Sequence, residues 1–189
     1  MRAFHVVTLA ALLAAVSATP ARADGFITPY IGFNFGGDSA NCVNLSNCEE
    51  KRTNWGVTFG STQGIFGIEA DFGYAPNFFG KTPGQSNGVF HFMTDLMLVV
   101  PAGPVQPYGF IGLGLIRSHA KFSVGSLSSL DQNALGHDIG GGLNLFFTPK
   151  VGLHGEIRHL RTFKDVTLGV FGNDKLDFLR ASAGLTFRF

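Results

Sequence analysis

The chain has 189 residues, of which 45% are hydrophobic and only 14% are charged, and it contains 26 Gly and 20 Phe. The charged fraction is about half the usual value and the Gly content about twice the usual value, while the apolar content excludes intrinsic disorder. The formal net charge of +1 excludes the basic excess typical of nucleic-acid-binding proteins, so no nucleic-acid partner is expected, and the length fits one domain.

The N-terminal segment 1–23 has the features of a secretory signal peptide. Arg2 is followed by an apolar stretch over about 6–16, and a small-x-small sequence ends at Ala23. The apolar stretch is too short to span a bilayer as a helix, and the pattern is the one that signal peptidase cleaves. The sequence therefore predicts export, with residues 24–189 forming the mature domain.

After export, the two cysteines of the chain are expected to lie in an oxidising compartment. Cys42 and Cys48 lie close together in the sequence and are predicted to form a disulfide. Two thiols without a nearby His are too few ligands for a metal ion. His159 lies five positions after His154, so on a strand the two side chains would face opposite sides of a sheet. No metal site and no cofactor are predicted.

A two-residue alternation of apolar and polar residues recurs along the mature chain. Over 65–75, Phe66 and Ile68 alternate with Glu69 and Asp71, which is typical of a strand with one apolar and one polar face. The pattern predicts eight strands, at about 26–37, 53–60, 65–75, 88–100, 107–117, 134–147, 151–163 and 176–189. Most of them are long enough to cross a membrane at a tilt. In the fifth strand, glycines leave open which alternate residues form the apolar face.

The links between these strands alternate between long and short. An up-and-down barrel inserted from one side of a membrane has this pattern, with short turns in the periplasm and long loops outside. The sequence therefore predicts an all-β fold, an eight-stranded antiparallel up-and-down transmembrane β-barrel.

A soluble barrel with an apolar interior is the competing interpretation. Such a barrel would carry Lys on its water-exposed strand faces, whereas all six Lys are expected in loops or turns, at positions 51, 81, 121, 150, 164 and 175. The polar faces are also rich in Gly and small polar residues, which suit the narrow interior of an eight-stranded barrel. The placement of lysine favours the membrane barrel.

Charged residues on the polar faces are expected to form a network inside the barrel. The network is predicted to contain Glu69, Asp71, Asp95, Asp138, Glu156, Arg158, Arg180 and Arg188. Opposite charges must be paired there because an unpaired buried charge is costly, and the planar fork of Arg can bind two carboxylates. The network either plugs the barrel or lines a narrow path for ions or small solutes.

Aromatic residues near the strand ends predict two interfacial girdles. One set, near the periplasmic ends, is Phe26, Tyr108, Phe147, Phe187 and Phe189, and the other is Phe35, Trp55, Tyr74 and Phe163.

Four stretches resemble a known family: IEADFGYAPNFFG at 68–80, PYGFIGLGLIRS at 107–118, the block 137–161 and the terminal GLTFRF. They are similar to the small outer-membrane β-barrel proteins of Gram-negative bacteria, a porin-like family grouped with the outer-membrane protein A-like barrel domains. The resemblance implies a monomer in the outer membrane, delivered by periplasmic chaperones and folded by the barrel assembly machinery. It also implies that Leu185, Phe187 and Phe189 act as the assembly signal.

Three function classes remain, of which a structural or surface-interaction role of the extracellular loops is the preferred one. A narrow porin-like channel is the second. A lipid-modifying enzyme is the third, but Ser118 and Ser182 cannot be combined with His159 into a Ser-His pair from their spacing. The chain is therefore expected not to be an enzyme.

The outer loops and their bases supply the candidate contacts with partners. Lipopolysaccharide phosphates are expected to meet Arg117, Lys121, Arg161 and Lys164. Three apolar loop residues either contact a partner or pack on the barrel rim: Phe78, Phe79 and Phe171. The remaining outer surface is expected to contact membrane lipid.

Overall fold

The computed structural model describes residues 24–39, 49–50, 52–81, 85–122, 128–164, 166–167 and 173–189. The predicted signal peptide and the predicted disulfide partners Cys42 and Cys48 lie outside these residues. Within them, no helix is long and apolar enough to cross a membrane.

Eight long antiparallel strands close into one barrel, in the order β1-β10-β7-β6-β5-β4-β3-β2. They are β1 (Asp24–Phe35), β2 (Thr53–Gln63), β3 (Phe66–Pro76), β4 (Gln85–Val99), β5 (Val105–Phe122), β6 (Ser128–Phe146), β7 (Val151–Thr162) and β10 (Asp177–Arg188). The first and last strands pair from Phe26 with Arg188 to Phe35 with Leu179, which closes the wall. The predicted eight-stranded up-and-down barrel is confirmed.

The two ends of the barrel differ in their connections. The end that holds both Asp24 and Phe189 has the links 64–65, 100–104 and 147–150, and we call it the turn end. Gly64 and Gly103 adopt positive φ there, of 62° and 68°, a conformation that glycine reaches without steric cost. The opposite end, called the loop end, carries the longer links and a small hairpin of β8 (Val166–Thr167) and β9 (Asn173–Asp174).

The alternation of residues along the strands separates the two faces of the wall. Ile31 is 73% exposed on the outside, whereas the Arg158 side chain is completely buried inside. Apolar side chains that face outward and polar side chains that face inward are the arrangement of a strand wall in lipid. The ambiguous fifth strand is resolved in the same way, since Tyr108 and Ile116 are buried and Leu113 is exposed.

The link between β5 and β6 is shorter than expected. The sequence pattern assigns a long loop to residues 118–133, but strand pairing continues to the pair of Phe122 with Ser128, so the strict alternation of long and short links is wrong there. Lys121 consequently lies in a strand rather than in a loop. Backbone hydrogen bonds between strands form without an apolar face, and residues 118–133 show no period-two apolar signal in the sequence.

The girdle prediction is wrong for two aromatic residues. Phe26 and Tyr108 lie inside the barrel, because the first strand and the fifth strand turn these positions inward. Trp55, Phe163 and Phe187 are exposed on the outer face, where an aromatic side chain can lie at the lipid interface.

Candidate functional site

The middle of the barrel contains a layer of buried charged side chains, which we call the charged layer. Its members are Glu69, Asp71, Asp95, Asp138, Glu156, Arg158 and Arg180. They come from β3, β4, β6, β7 and β10, and the inward parity of these strands brings them together although they are far apart in sequence. All of them are buried.

Arg158 is the hub of the charged layer. Its Nη2 donates to Glu69 Oε1 at 2.7 Å, its Nη1 donates to Asp95 Oδ2 at 2.6 Å and to Asp138 Oδ2, and its Nε donates to Glu156 Oε1 at 2.9 Å. The guanidinium carbon also lies 4.0 Å from the centre of the Phe110 ring. One planar cation thus binds four carboxylates, which a Lys ammonium could not do with the same geometry.

Arg180 forms the second centre of the layer. It donates to Asp71 Oδ2 and to Glu156 Oε1, both at 2.8 Å, and to Tyr30 Oη at 2.5 Å. His91 Nε2 lies 2.8 Å from both Asp71 Oδ2 and Arg180 Nη1. Glu156 accepts from both arginines and therefore joins the two centres into one network.

The predicted network member Arg188 lies apart from this layer. It is at the turn end, where its Nη2 donates to Gln106 Oε1 and its guanidinium carbon lies 3.6 Å from the centre of the Phe146 ring. Tyr30 and Phe110 contact the arginines, but sequence reasoning missed them. The signal that could have found them is parity, since each aromatic residue interrupts the polar face of its strand.

Polar groups continue from the charged layer toward the turn end. Tyr108 Oη donates to Glu156 Oε2 at 3.0 Å, and His154 Nδ1 lies 3.0 Å from Asn144 Oδ1. Thr186 Oγ1 donates to the same Asn144 oxygen at 3.3 Å. His154 thus occupies an ordinary polar position in the lumen.

Two apolar clusters cover the charged layer. The loop-end cluster consists of Ala75, Phe78, Phe79, Val89, Met93, Ile116, Leu160, Leu176 and Phe178. The turn-end cluster consists of Phe26, Met97, Val99, Tyr108 and Phe110. Along the barrel axis, the loop-end cluster lies on one side of the charged layer, and the turn-end cluster, together with the polar groups around His154, lies on the other.

The turn after β3 inserts into the mouth of the barrel. Asn87 holds it there, because its Oδ1 accepts from Phe79 N at 3.0 Å and its Nδ2 donates to Gly80 O at 2.8 Å. Phe78 and Phe79 are consequently buried and are not available to a partner, so of the two alternatives left open for them, packing at the barrel rim is the one that the structure shows. Phe171, the third residue of that set, lies outside the described residues.

The outer face carries its own charged group near the loop end. His159 Nε2 lies 2.8 Å from Asp177 Oδ1, and Arg161 Nε lies 3.4 Å from Asp177 Oδ2. Arg117 Nη2 on β5 lies 3.8 Å from Asp131 Oδ2 on the neighbouring strand β6. Ser118 and Ser182 face the lumen while His159 faces outward, so the barrel wall separates them. Among the described residues, no group of three or more His, Cys, Asp or Glu could hold a metal ion.

Comparisons with known proteins agree with this architecture. A family model described as the outer membrane protein beta-barrel domain matches residues 8–189. Neisserial surface protein A is 17% identical, with a TM-score of 0.64 over 87% of this chain and 97% of that chain. No curated protein sequence matches the chain.

Two further solved structures have the same fold. A major outer membrane protein from Thermus thermophilus is 12% identical, with a TM-score of 0.65 over 89% of this chain and 100% of that chain. Ail, the attachment invasion locus protein of Yersinia pestis, is 13% identical, with a TM-score of 0.57 over 88% of this chain and 97% of that chain. At these identities the likeness shows the fold alone.

Proposed function

The chain belongs to the outer membrane β-barrel protein family and resides in the outer membrane, and from this premise we propose that it acts at the cell surface through its loops. In this proposal the barrel is a rigid, closed support and works as a single copy. The loop end faces outward and the turn end faces the periplasm, as expected for barrels with short periplasmic turns.

The filled lumen is the observation that carries this proposal. The charged layer lies between the loop-end cluster and the turn-end cluster, and the Arg158 and Arg180 side chains are held by several carboxylates each. A hydrated path would require these side chains to leave well-paired positions, which is costly for buried charges. A closed support therefore fits better than a channel.

The closed barrel is expected not to conduct. Purified, folded protein in planar bilayers should show no current steps above the lipid background. Phe78→Ala should also give none, because this variant thins only the loop-end cluster and leaves the charged layer filling the lumen. Reproducible current steps in the unmodified protein would support the channel instead.

A role without catalysis is part of the same proposal. Ser118 and Ser182 lie on the inside of the wall and His159 on the outside, beside Asp177. A nucleophile and its base must be within hydrogen-bond reach of one another, and a barrel wall between them prevents that.

Lipopolysaccharide is the proposed partner of the outer face near the loop end. Arg161 is about half exposed and Arg117 slightly more so, and Lys164 is exposed near them, while the side chain of Lys121 is not described. Guanidinium groups bind phosphate well because their planar fork matches its oxygens. These cations lie where a strand wall meets lipid headgroups.

Arg161→Ala is expected to weaken binding of the barrel to lipid A vesicles about fivefold, since an exposed ion pair contributes at most about 1 kcal/mol. The measurement is vesicle co-sedimentation at low and high salt. Lys150→Ala is the control, because Lys150 is also an exposed cation but lies in the link 147–150 at the turn end, away from the proposed contact. Equal weakening by both variants would contradict a specific phosphate contact.

Biogenesis supplies the remaining parts of the proposal. Leu185, Phe187 and Phe189 form an alternating, outward-facing row at the end of β10, which suits recognition by the barrel assembly machinery after delivery by periplasmic chaperones. The segment 1–23 directs export, and Cys42 and Cys48 form a disulfide in the first outer loop.

A further inference from the structure

The charged layer contains more negative than positive groups. Five carboxylates face the two guanidinium groups of Arg158 and Arg180, a formal excess of three negative charges. A buried carboxylate is costly unless a cation, a hydrogen-bond donor or a proton compensates it. Part of this excess must therefore be neutralised within the layer.

Two of the five carboxylates are brought together by strand register. Asp95 on β4 lies directly opposite Gly112 on β5, and Gly112 lies directly opposite Asp138 on β6. Because the middle residue has no side chain, both carboxyl groups lean over it. A Cβ added at Gly112 would overlap both Asp95 Oδ1 and Asp138 Oδ1, at 1.8 Å and 2.5 Å, so both oxygens lie beside the same point above the glycine.

The same two oxygens are the ones left without a donor. Asp95 Oδ2 and Asp138 Oδ2 both accept from Arg158 Nη1, whereas each Oδ1 atom is buried and has no hydrogen-bond partner among the described residues. Both residues are 0% exposed. Two ionised carboxylates that direct unpartnered oxygens to the same point would repel one another, while a carboxylic acid and a carboxylate form a strong, short hydrogen bond.

We propose that Asp95 and Asp138 share one proton between their Oδ1 atoms above Gly112, so that the pair carries one negative charge. The proton is taken up from water as the barrel folds, and one O–H bond is formed. A metal ion fits less well because the site offers only two free oxygens, and the described residues contain no group of ligands for a metal.

The surroundings hold this proton in place. The charged and titratable groups around the pair are Arg158 and Glu156 on β7, Glu69 and Asp71 on β3, and, one contact further away, Arg180 on β10, His91 on β4 and Tyr30 on β1. Arg158 fixes the outer oxygens of both aspartates, which leaves the inner oxygens directed at each other. The inference concerns the lumen and does not depend on the role of the loops.

Infrared spectroscopy tests the shared proton. The folded protein in detergent micelles at neutral pH is expected to show the C=O absorption of a protonated carboxylic acid, shifted after refolding in D2O. Asp95→Asn and Asp138→Asn should each lose this absorption. Glu69→Gln is the matched control, because Glu69 is also buried and bound to Arg158, and it should keep the absorption.

Absence of the absorption in the unmodified protein would overturn the proposal, as would its persistence in both Asn variants or its loss in Glu69→Gln alone. Should an Asn variant fail to fold, unmodified protein labelled with ¹³C-aspartate gives the answer. The absorption must then move to lower frequency, and an unmoved absorption would assign the proton elsewhere.

Discussion

Replacing Arg158 by methionine is expected to destabilise the folded barrel by about 5 kcal/mol or more, or to prevent folding. Removing one partner of a buried ion pair costs about 3–5 kcal/mol because it leaves an uncompensated charge. Arg158 binds four carboxylates. Among the described residues, it is the side chain that donates hydrogen bonds to Glu69, Asp95 and Asp138. Methionine preserves much of the side-chain volume, so the loss of unfolding free energy comes from the missing charge and not from a cavity.

The single tryptophan of the chain makes the measurement direct. Trp55 is 58% exposed on the outer face, so its fluorescence reports transfer from detergent or lipid to water during unfolding in urea. Arg188→Met is the matched control, since Arg188 is also an inward-facing arginine but stacks on Phe146 at the turn end. It should cost about 1 kcal/mol or less. Similar losses of unfolding free energy in both variants would contradict the role of Arg158 as the hub of the charged layer.

The fold was predictable because one physical rule acts along the whole chain. A wall with lipid on one side and a packed lumen on the other requires apolar and polar residues to alternate with a period of two. That alternation is visible even where the residues have a low β-strand propensity. The length of the β5–β6 hairpin was not predictable, since residues 118–133 have no regular alternation of apolar and polar residues although strand pairing continues to Phe122 and Ser128. The β8–β9 hairpin was missed because two-residue strands carry no periodic signal.

Parity also identified most of the charged layer, but it gives no depth along the barrel axis. Glu69, Asp138 and Arg158 share both the inward face and the middle of their strands, and they meet. Arg188 has the same facing, yet it lies at the end of its strand and therefore meets Gln106 instead. The inserted turn with Phe78 was beyond such reasoning, because its position depends on the tertiary contact of Asn87 with the turn backbone.

Glycine explains how an eight-stranded barrel accommodates arginine and aromatic side chains in so narrow a lumen. The Tyr30 ring lies against Gly56 and Gly73, and this position lets Tyr30 Oη accept from Arg180 and donate to Phe72 O at 3.3 Å. On the outer face, by contrast, a Cβ at Gly155 would meet nothing within 4 Å. Gly56 and Gly155 thus differ in their tolerance for a side chain.

Gly56→Val is accordingly expected to destabilise the barrel by about 3 kcal/mol, the upper part of the range for overpacking a core. Its Cβ would overlap the Tyr30 ring and the Phe72 carbonyl oxygen, so the hydrogen bond from Arg180 to Tyr30 must break. Gly155→Val, a change of the same size in the middle of a strand, should be neutral within about 0.5 kcal/mol, because the new side chain projects into lipid or detergent. Urea unfolding, monitored by Trp55 fluorescence, gives the free energy of unfolding of both variants. Equal values for the two would contradict the close packing of the lumen around Tyr30.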